Sequence, residues 1–375
     1  MMSRVWDQLA HVLGTAPGRV PRQVGAGLDL TRSTGVRYMW QRWREGEARG
    51  GDDAVRSVYH EIWRRAAAEV GATMEDLGSG FFEMRSGDAR TRAWFNWVEL
   101  EDIVTHRLAL DKPRVHGLLL SVGLPAPEHV EIHFRDRRAA EAFLGRSDAP
   151  CVVKPARGTS GGGGITSGVS TPDQLVRARL RASRADDHLL IERQAPGIAY
   201  RILVLDGELL DVVRRRPPTV LGDGRSTVRE LIAAENRRRR EARGWEGFRQ
   251  LTVDLEAVLT LEAQGLGLRS VPSPGTHVAV KEVESQNAAR ENETVRDELH
   301  PDLVAEAVGA ARAVGLRLAG IDVVTPDLTR SLRDSGGAIV EVNGTPGFQY
   351  HYLVAEPERA APVAVPILRR LLENG

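Results

Sequence analysis

The spacing of hydrophobic and polar positions changes period several times along the chain. Over "AVRSVYHEIWRRAAAEVGA", apolar residues recur at Val55, Val58, Ile62 and Ala66, near the repeat of a half-buried helix, and Gly71 stops it. In "LDKPRVHGLLLSVGLPAP", Asp111 stands where it can cap a helix and Pro113 suits the first turn. Val115, Leu118 and Leu119 supply the apolar stripe, and Gly123 ends the helix before Pro125 and Pro127. "HVEIHF" alternates as a short strand, and a helix is expected around 172–182. "HLLIERQAPGIAYRILVLDGELLDVVRRRPPTVLGDG" divides into strands with turns at Pro196-Gly197, Asp206-Gly207 and Asp223-Gly224. Thr227 and Glu230 have capping-box spacing for the next helix. "VLTLEAQ" and "GTHVAVKEV" predict strands, a helix over about 303–314 precedes "RLAGIDVVTPD", and a helix over about 365–372 closes the pattern, with Pro366 in its first turn.

Two of these strands pose an energetic question. In "GIDVV", Asp322 faces opposite to Ile321 and Val323, and in "AIVEVN" the two-residue period puts Ile339, Glu341 and Asn343 on one face. The polar linker "TPDLTRSLRDSGG" suits two neighbouring antiparallel strands, which would gather Asp322, Glu341 and Asn343 on one surface. Buried carboxylates persist when paired or when they hold a metal. An all-oxygen set suits a hard cation such as Mg2+, while each carboxylate taken singly also suits a salt bridge to an arginine.

"VVKPARGTSGGGG" places Lys154 at a strand end, followed by small residues. Thr159 and Ser160 offer hydroxyls, and Gly161, Gly162 and Gly163 let backbone N–H groups approach phosphate oxygens. A flexible connector fits the same residues, and no Gly-Lys-Ser/Thr makes it a P-loop. Lys112 falls in the first turn of its helix, where the dipole disfavours a cation unless an anion meets it.

Composition narrows the classes. A chain of 375 residues holds two or three domains or one multi-lobed enzyme. Basic and acidic residues balance at 51 each, so no global field favours nucleic acid or an anionic membrane. The single cysteine, Cys151, excludes an internal disulfide framework and a cysteine metal cluster, and reads as a small buried hydrophobe suited to a reducing cytoplasm. "MMSRVWDQLAHVLG" is a poor signal peptide, and no apolar run is long enough to span a membrane. The expected location is therefore cytoplasmic. The run Arg237 to Arg240, flanked by Glu235 and Glu241, reads as a solvated helix face rather than an RNA patch. Phe81, Phe82, Trp94, Phe95 and Trp97 read as the core of a small α/β domain over 1–106, with one continuous catalytic unit over 107–375.

Lys112, Lys154, the glycine loop, Glu192 at a strand end, Arg201 and Arg216, then Asp322 with Glu341 and Asn343, follow the order and rough spacing of the ATP-grasp ligases. Within that superfamily the chain resembles the ATP-grasp part of cyanophycin synthetase-like enzymes from about Leu110 onward, most specifically at "VLGDGRSTVRELI". The resemblance implies an α/β (α+β) ATP-grasp fold with a lid subdomain at about 125–200. ATP would lie between two lobes, with Lys112 and Lys154 on its phosphates or adenine and Glu192 near the adenine. Asp322, Glu341 and Asn343 would hold Mg2+, and Arg201 and Arg216 would steady the transferred phosphoryl group. The implied reaction joins an amino acid or short peptide to an amino acid through an acyl phosphate, releasing ADP and phosphate. Such enzymes are often homo-oligomers. A small-molecule kinase of similar fold and a non-catalytic nucleotide-binding or RNA-interacting module are the alternatives.

Three departures from the family pattern bear on substrate. Relatives carry an acidic residue for the ribose where this chain has Ala199. The loop "ESQNAARENETVRDELHP" replaces a glycine-rich loop near the substrate, which implies a different amino substrate. The sequence ends at Gly375, so the second, Mur-ligase-like ATPase and the polymerisation of cyanophycin are not expected. His351 suits either a substrate contact or a structural role.

Overall fold

In a computed structural model, residues 47–158, 163–242 and 249–374 are described. All the packing below lies within the unit Ala54–Gly375. Helix α1, Glu47–Val70, ends where Gly71 takes φ 71°, a conformation open to glycine. Its residues Tyr59, Ile62, Trp63 and Ala66 pack with Phe82, Met84 and Ala93 of an antiparallel sheet. That sheet runs in the order β1 (Thr73–Gly78), β2 (Phe81–Ser86), β3 (Ala89–Trp94), β4 (Trp97–Val98). Of the aromatic cluster, Phe82 is buried in this core, whereas Phe81, Trp94 and Trp97 lie on the outer face.

Helices α2 (Ile103–Ala109) and α3 (Lys112–Ser121) follow, and Asp111 Oδ1 caps α3 by accepting from Arg114 N at 3.2 Å. A second sheet is built from β5 (His129–His133), β6 (Cys151–Pro155), β7 (Thr166–Val169) and β8 (His188–Arg193), in the order β5-β8-β6-β7. Helices α4 (Arg137–Arg146) and α5 (Pro172–Ala182) cover it. Cys151 is fully buried in this core.

The central sheet contains β9 (Ile198–Leu205) and β10 (Glu208–Arg215). A hairpin joins them in which Asp206 (φ 49°) and Gly207 (φ 84°) both take positive φ, the geometry that matches strand twist. Strand β11 (Thr219–Leu221), helices α6 (Val228–Glu241) and α7 (Leu255–Ala263), and strand β12 (His277–Ala279) form an insertion with a core of its own. The chain returns through β13 (Asn292–Thr294), α8 (Pro301–Val314), β14 (Leu318–Thr325), α9 (Leu332–Ser335) and β15 (Ala338–Asn343), and ends in α10 (Ala364–Glu373). The central order is β13-β10-β9-β14-β15. Val115, Leu119, Leu303 and Ala307 pack one face of it, and α1 and α10 pack part of the other. No described helix is long and apolar enough to cross a membrane.

The capping box at Thr227 and Glu230 is present, but "VLTLEAQ" is not a strand. It belongs to α7, started by Asp254 Oδ1 accepting from Ala257 N at 3.1 Å. Leu255 and Leu259 join the core of the second sheet, while Ala257 and Leu261 join the insertion core. Two i,i+4 pairs offset by two residues read as strand alternation, although each belongs to a different face of one helix. "GTHVAVKEV" yields only the short β12.

Gly197 fixes the entry to β9. At φ 111° an added Cβ would stand 2.1 Å from the Thr325 carbonyl carbon. Gly197→Ala is therefore expected to destabilise the fold by about 2–4 kcal/mol, readable as a lower urea midpoint.

Candidate active site

The placement of Glu341 depends on a bulge. Along β14 and β15 the pairing runs Gly320 with Asn343, Ile321 with Val342 and Asp322 with Glu341, then skips to Val323 with Ile339. Val340 is the extra residue, and it reverses the face of everything before it. Ile339 accordingly packs with Ile321, Val323 and Val342, while Glu341 lies on the opposite face with Asp322. The expected common face of Ile339 and Glu341 is thus corrected, and the buried apolar run and the polar pair no longer conflict. Asn343 shares the polar face, its Nδ2 donating to Asp322 Oδ2 at 3.1 Å.

The bulge also turns the Val340 carbonyl out of the sheet edge. Lys154 Nζ, from the end of β6, donates to it at 3.2 Å, and His116 Nε2, from α3, lies 3.3 Å away. Lys154 also pairs with Glu192 of β8 at 2.8 Å, both groups buried. His116 is fully buried, and burial pushes its imidazole down to about 4 against the raising pull of Glu192. Its Nδ1 stands 3.9 Å from Glu192 Oε2, and neither atom has a hydrogen-bond partner among the described residues. Such buried orphan atoms mark a place where a polar ligand group can bind. Lys112 Nζ, also buried, lies 3.5 Å from Glu341 Oε1, so the unfavourable first-turn cation does meet an anion.

Arg201 of β9 is the register partner of Asp322 and grips it with two bonds, Nε to Oδ1 at 2.6 Å and Nη2 to Oδ2 at 2.8 Å. Burial works to raise the Asp322 carboxyl, but Arg201, Arg215 and Asn343 together hold it below the usual carboxylate range. The second cation on this face is Arg215. Alternation along β10 aligns it with Val213, the partner of Arg201, and its guanidinium lies 4.4 Å from the Tyr350 ring centroid. Arg216 does not join them. It is exposed past the strand end and donates to Glu293 Oε2 at 3.0 Å, the oxygen that Arg214 takes at 2.8 Å from the opposite face. Of the expected arginines the sheet thus brings Arg201 to this face and leaves Arg216 exposed beyond the end of β10, while Arg215, the last residue of that strand, faces Tyr350.

Tyr350 is enclosed by cations: Arg249 Nη2 donates to its hydroxyl at 3.2 Å, and the Arg201 guanidinium lies 6.0 Å from its ring. Burial works to raise the phenol, but Arg249, Arg215 and Arg201 hold it below its ordinary value. His351 is fully buried, with Nδ1 2.7 Å from Asp211 Oδ2, which ties the segment after β15 to β10 and gives this histidine a structural place. Of the glycine loop, Thr159, Ser160, Gly161 and Gly162 lie outside the described residues, and Gly163 sits in the turn leading to β7. In the basic run of α6, Arg237, Arg238 and Arg240 are exposed, as a solvated helix face requires, and Arg239 alone of the four turns inward. Arg239 is fully buried against Glu235, and Arg240 Nη1 donates to Gln250 Oε1 at 2.9 Å.

Asp322, Glu341 and Asn343 present oxygen donors on adjacent strands, a set that fits Mg2+. Glu341 retains solvent access at 30% of its side chain, and Asp322 would share its oxygens with Arg201.

No protein-family model matches the sequence. A cyanophycin synthetase of a Nostoc species is 33% identical over 270 residues, 71% of this chain and 29% of the relative. The glutathione biosynthesis bifunctional protein GshAB of Enterococcus faecalis is 34% identical over 221 residues, 57% of this chain and 29% of that protein. The chain spans about three tenths of the length of these curated relatives. Among solved structures, a bifunctional glutathione synthetase from Pasteurella multocida aligns with TM-score 0.53 and 24% identity, over 82% of this chain and 42% of that one. The chain has an α/β fold of the ATP-grasp type, shared with that synthetase, and its sequence is similar over 270 residues to part of a cyanophycin synthetase.

Proposed function

We propose that the chain is an ATP- and Mg2+-dependent carboxylate–amine ligase that joins an amino acid or short peptide to another amino acid. The observation that carries this reading is the pairing of Asp322 with Glu341 across the Val340 bulge, beside the buried Lys112 and Lys154. A carboxylate resists attack by an amine because its charge is delocalised and its oxide does not leave. Transfer of the γ-phosphoryl group of ATP to a carboxylate oxygen breaks the bond to ADP and gives an acyl phosphate. The amine nitrogen then attacks the acyl carbon as the free base, the C–N bond forms, and phosphate departs with the electron pair of the C–O bond and the proton the nitrogen gives up. Mg2+ held by Asp322, Glu341 and Asn343 would neutralise the charge that develops on the phosphate oxygens.

The residues of the chain bind and orient. Lys154 and Lys112 are the cations for the nucleotide phosphates, and Glu192 with His116 lines the buried end where the base would lie. Arg201 fixes Asp322 and adds positive charge on the reacting face. Side-chain covalent chemistry is not required, since positioning and charge supply the rate. The 125–200 region, with the sheet β5-β8-β6-β7, is the proposed lid.

Trapping with hydroxylamine tests the reading. With ATP, Mg2+ and amino-acid mixtures, a ligase is expected to yield a hydroxamate together with ADP. ADP without hydroxamate would replace the reading with a small-molecule kinase, and no nucleotide turnover would leave a binding module.

A further inference from the structure

One turn carries a group that none of the roles above uses. Glu284–Gln286 form a single 3₁₀ turn, and a different arginine takes each of its three successive carbonyls. Arg215 Nη2 donates to Glu284 O at 3.2 Å, Arg249 Nη1 to Ser285 O at 3.0 Å, and Arg239 Nη1 to Gln286 O at 2.7 Å. These arginines come from β10, from the segment before α7, and from α6, and Arg215 and Arg239 are buried. Charge-assisted bonds from three separate elements hold the turn far more firmly than a surface connection requires.

What the turn presents is the Glu284 carboxylate. It is partly buried and accepts a bond from its own backbone N–H, which lowers its pKa, and among the described residues no side chain forms a hydrogen bond or ion pair with its oxygens. Burial pushes the carboxyl up to about 7 against the lowering pull of Arg215, and the charges of Asp322 and Glu256 add to the rise. The same Arg215 lies over Tyr350, whose ring Arg201 also approaches while gripping Asp322. The Glu284 carbonyl is thereby linked through Arg215, Tyr350 and Arg201 to Asp322 on the proposed metal face. A carboxylate held there with no cation in direct contact is unfavourable, and a ligand cation that pairs with it removes the penalty.

We propose that Glu284 receives the ammonium group of the amine substrate and takes one proton from it, so that this substrate binds as its cation and its nitrogen attacks as the free base. The inference rests on the ligase reading. It is a specificity role: a positively charged amine gains the charge-assisted contact, and an uncharged amine of similar size does not.

Steady-state kinetics of the full chain, with ATP, Mg2+ and pairs of the common L-amino acids, separates the outcomes. Glu284→Gln is expected to raise KM for the amino-acid amine about tenfold or more. KM for ATP, and for hydroxylamine, which is uncharged at neutral pH, is expected to stay within about twofold. An amine KM within about twofold of the wild type in both Glu284→Gln and Glu284→Ala overturns the inference while the ligase reading stands. Failure of the wild-type chain to release ADP with any pair overturns the ligase reading and the inference with it.

Discussion

Glu341→Gln is expected to lower kcat by about a hundredfold or more while the chain remains folded. The side chain sits on the edge strand β15, 30% exposed, and its ion pair with the buried Lys112 spans 3.5 Å, so its neutralisation is expected to cost about 1–3 kcal/mol, less than the loss of a closely paired buried charge. Its proposed contribution lies in the reaction, where it supplies a negative oxygen beside Asp322 for the metal. The amide keeps shape and volume but is a weaker ligand for a hard cation. The rate of ADP release at saturating ATP measures the loss, and a higher Mg2+ concentration for half-maximal rate should accompany it. Turnover within about threefold of the wild type would remove Glu341 from the metal site.

The second large effect concerns the buried pair. Lys154→Met is expected to destabilise the chain by about 3–5 kcal/mol, because it leaves Glu192 buried and unpaired. The Val340 carbonyl also loses its donor from the second sheet. Replacing both partners, Lys154→Met with Glu192→Gln, should recover most of that stability, since no uncompensated charge then remains. Nucleotide binding should not recover, because the proposed phosphate cation is still missing. Urea unfolding and binding of a non-hydrolysable ATP analogue separate the two terms. A double variant as unstable as the single one would show that Lys154 acts by packing and not by charge.

Local signals in the sequence carried much of the fold. Asp111, Pro113 and Gly123 delimit α3 because caps and breakers act over a few residues. Asp206-Gly207 specifies a tight hairpin for the same reason, and the β14–β15 pairing follows from a short polar linker. What the sequence concealed depends on tertiary partners. The Val340 bulge has no local marker, yet it decides which face Glu341 occupies. Helix α7 imitates a strand because two cores claim its two sides. Four arginine and proline neighbours around Arg214 to Pro217 made the end of β10 ambiguous by one residue, which in a strand exchanges the two faces. Tyr350 and Glu284 lie outside the matched motifs, and only the convergence of Arg201, Arg215 and Arg249 marks them.

The face holding Asp322, Glu341 and Asn343 is proposed to activate a carboxylate by phosphoryl transfer. Chromatographic analysis of the nucleotide formed when the wild-type chain turns over ATP with Mg2+ and amino acids tests it most directly. ADP and inorganic phosphate are expected, released in equal amounts with the amide product. AMP and pyrophosphate would contradict it.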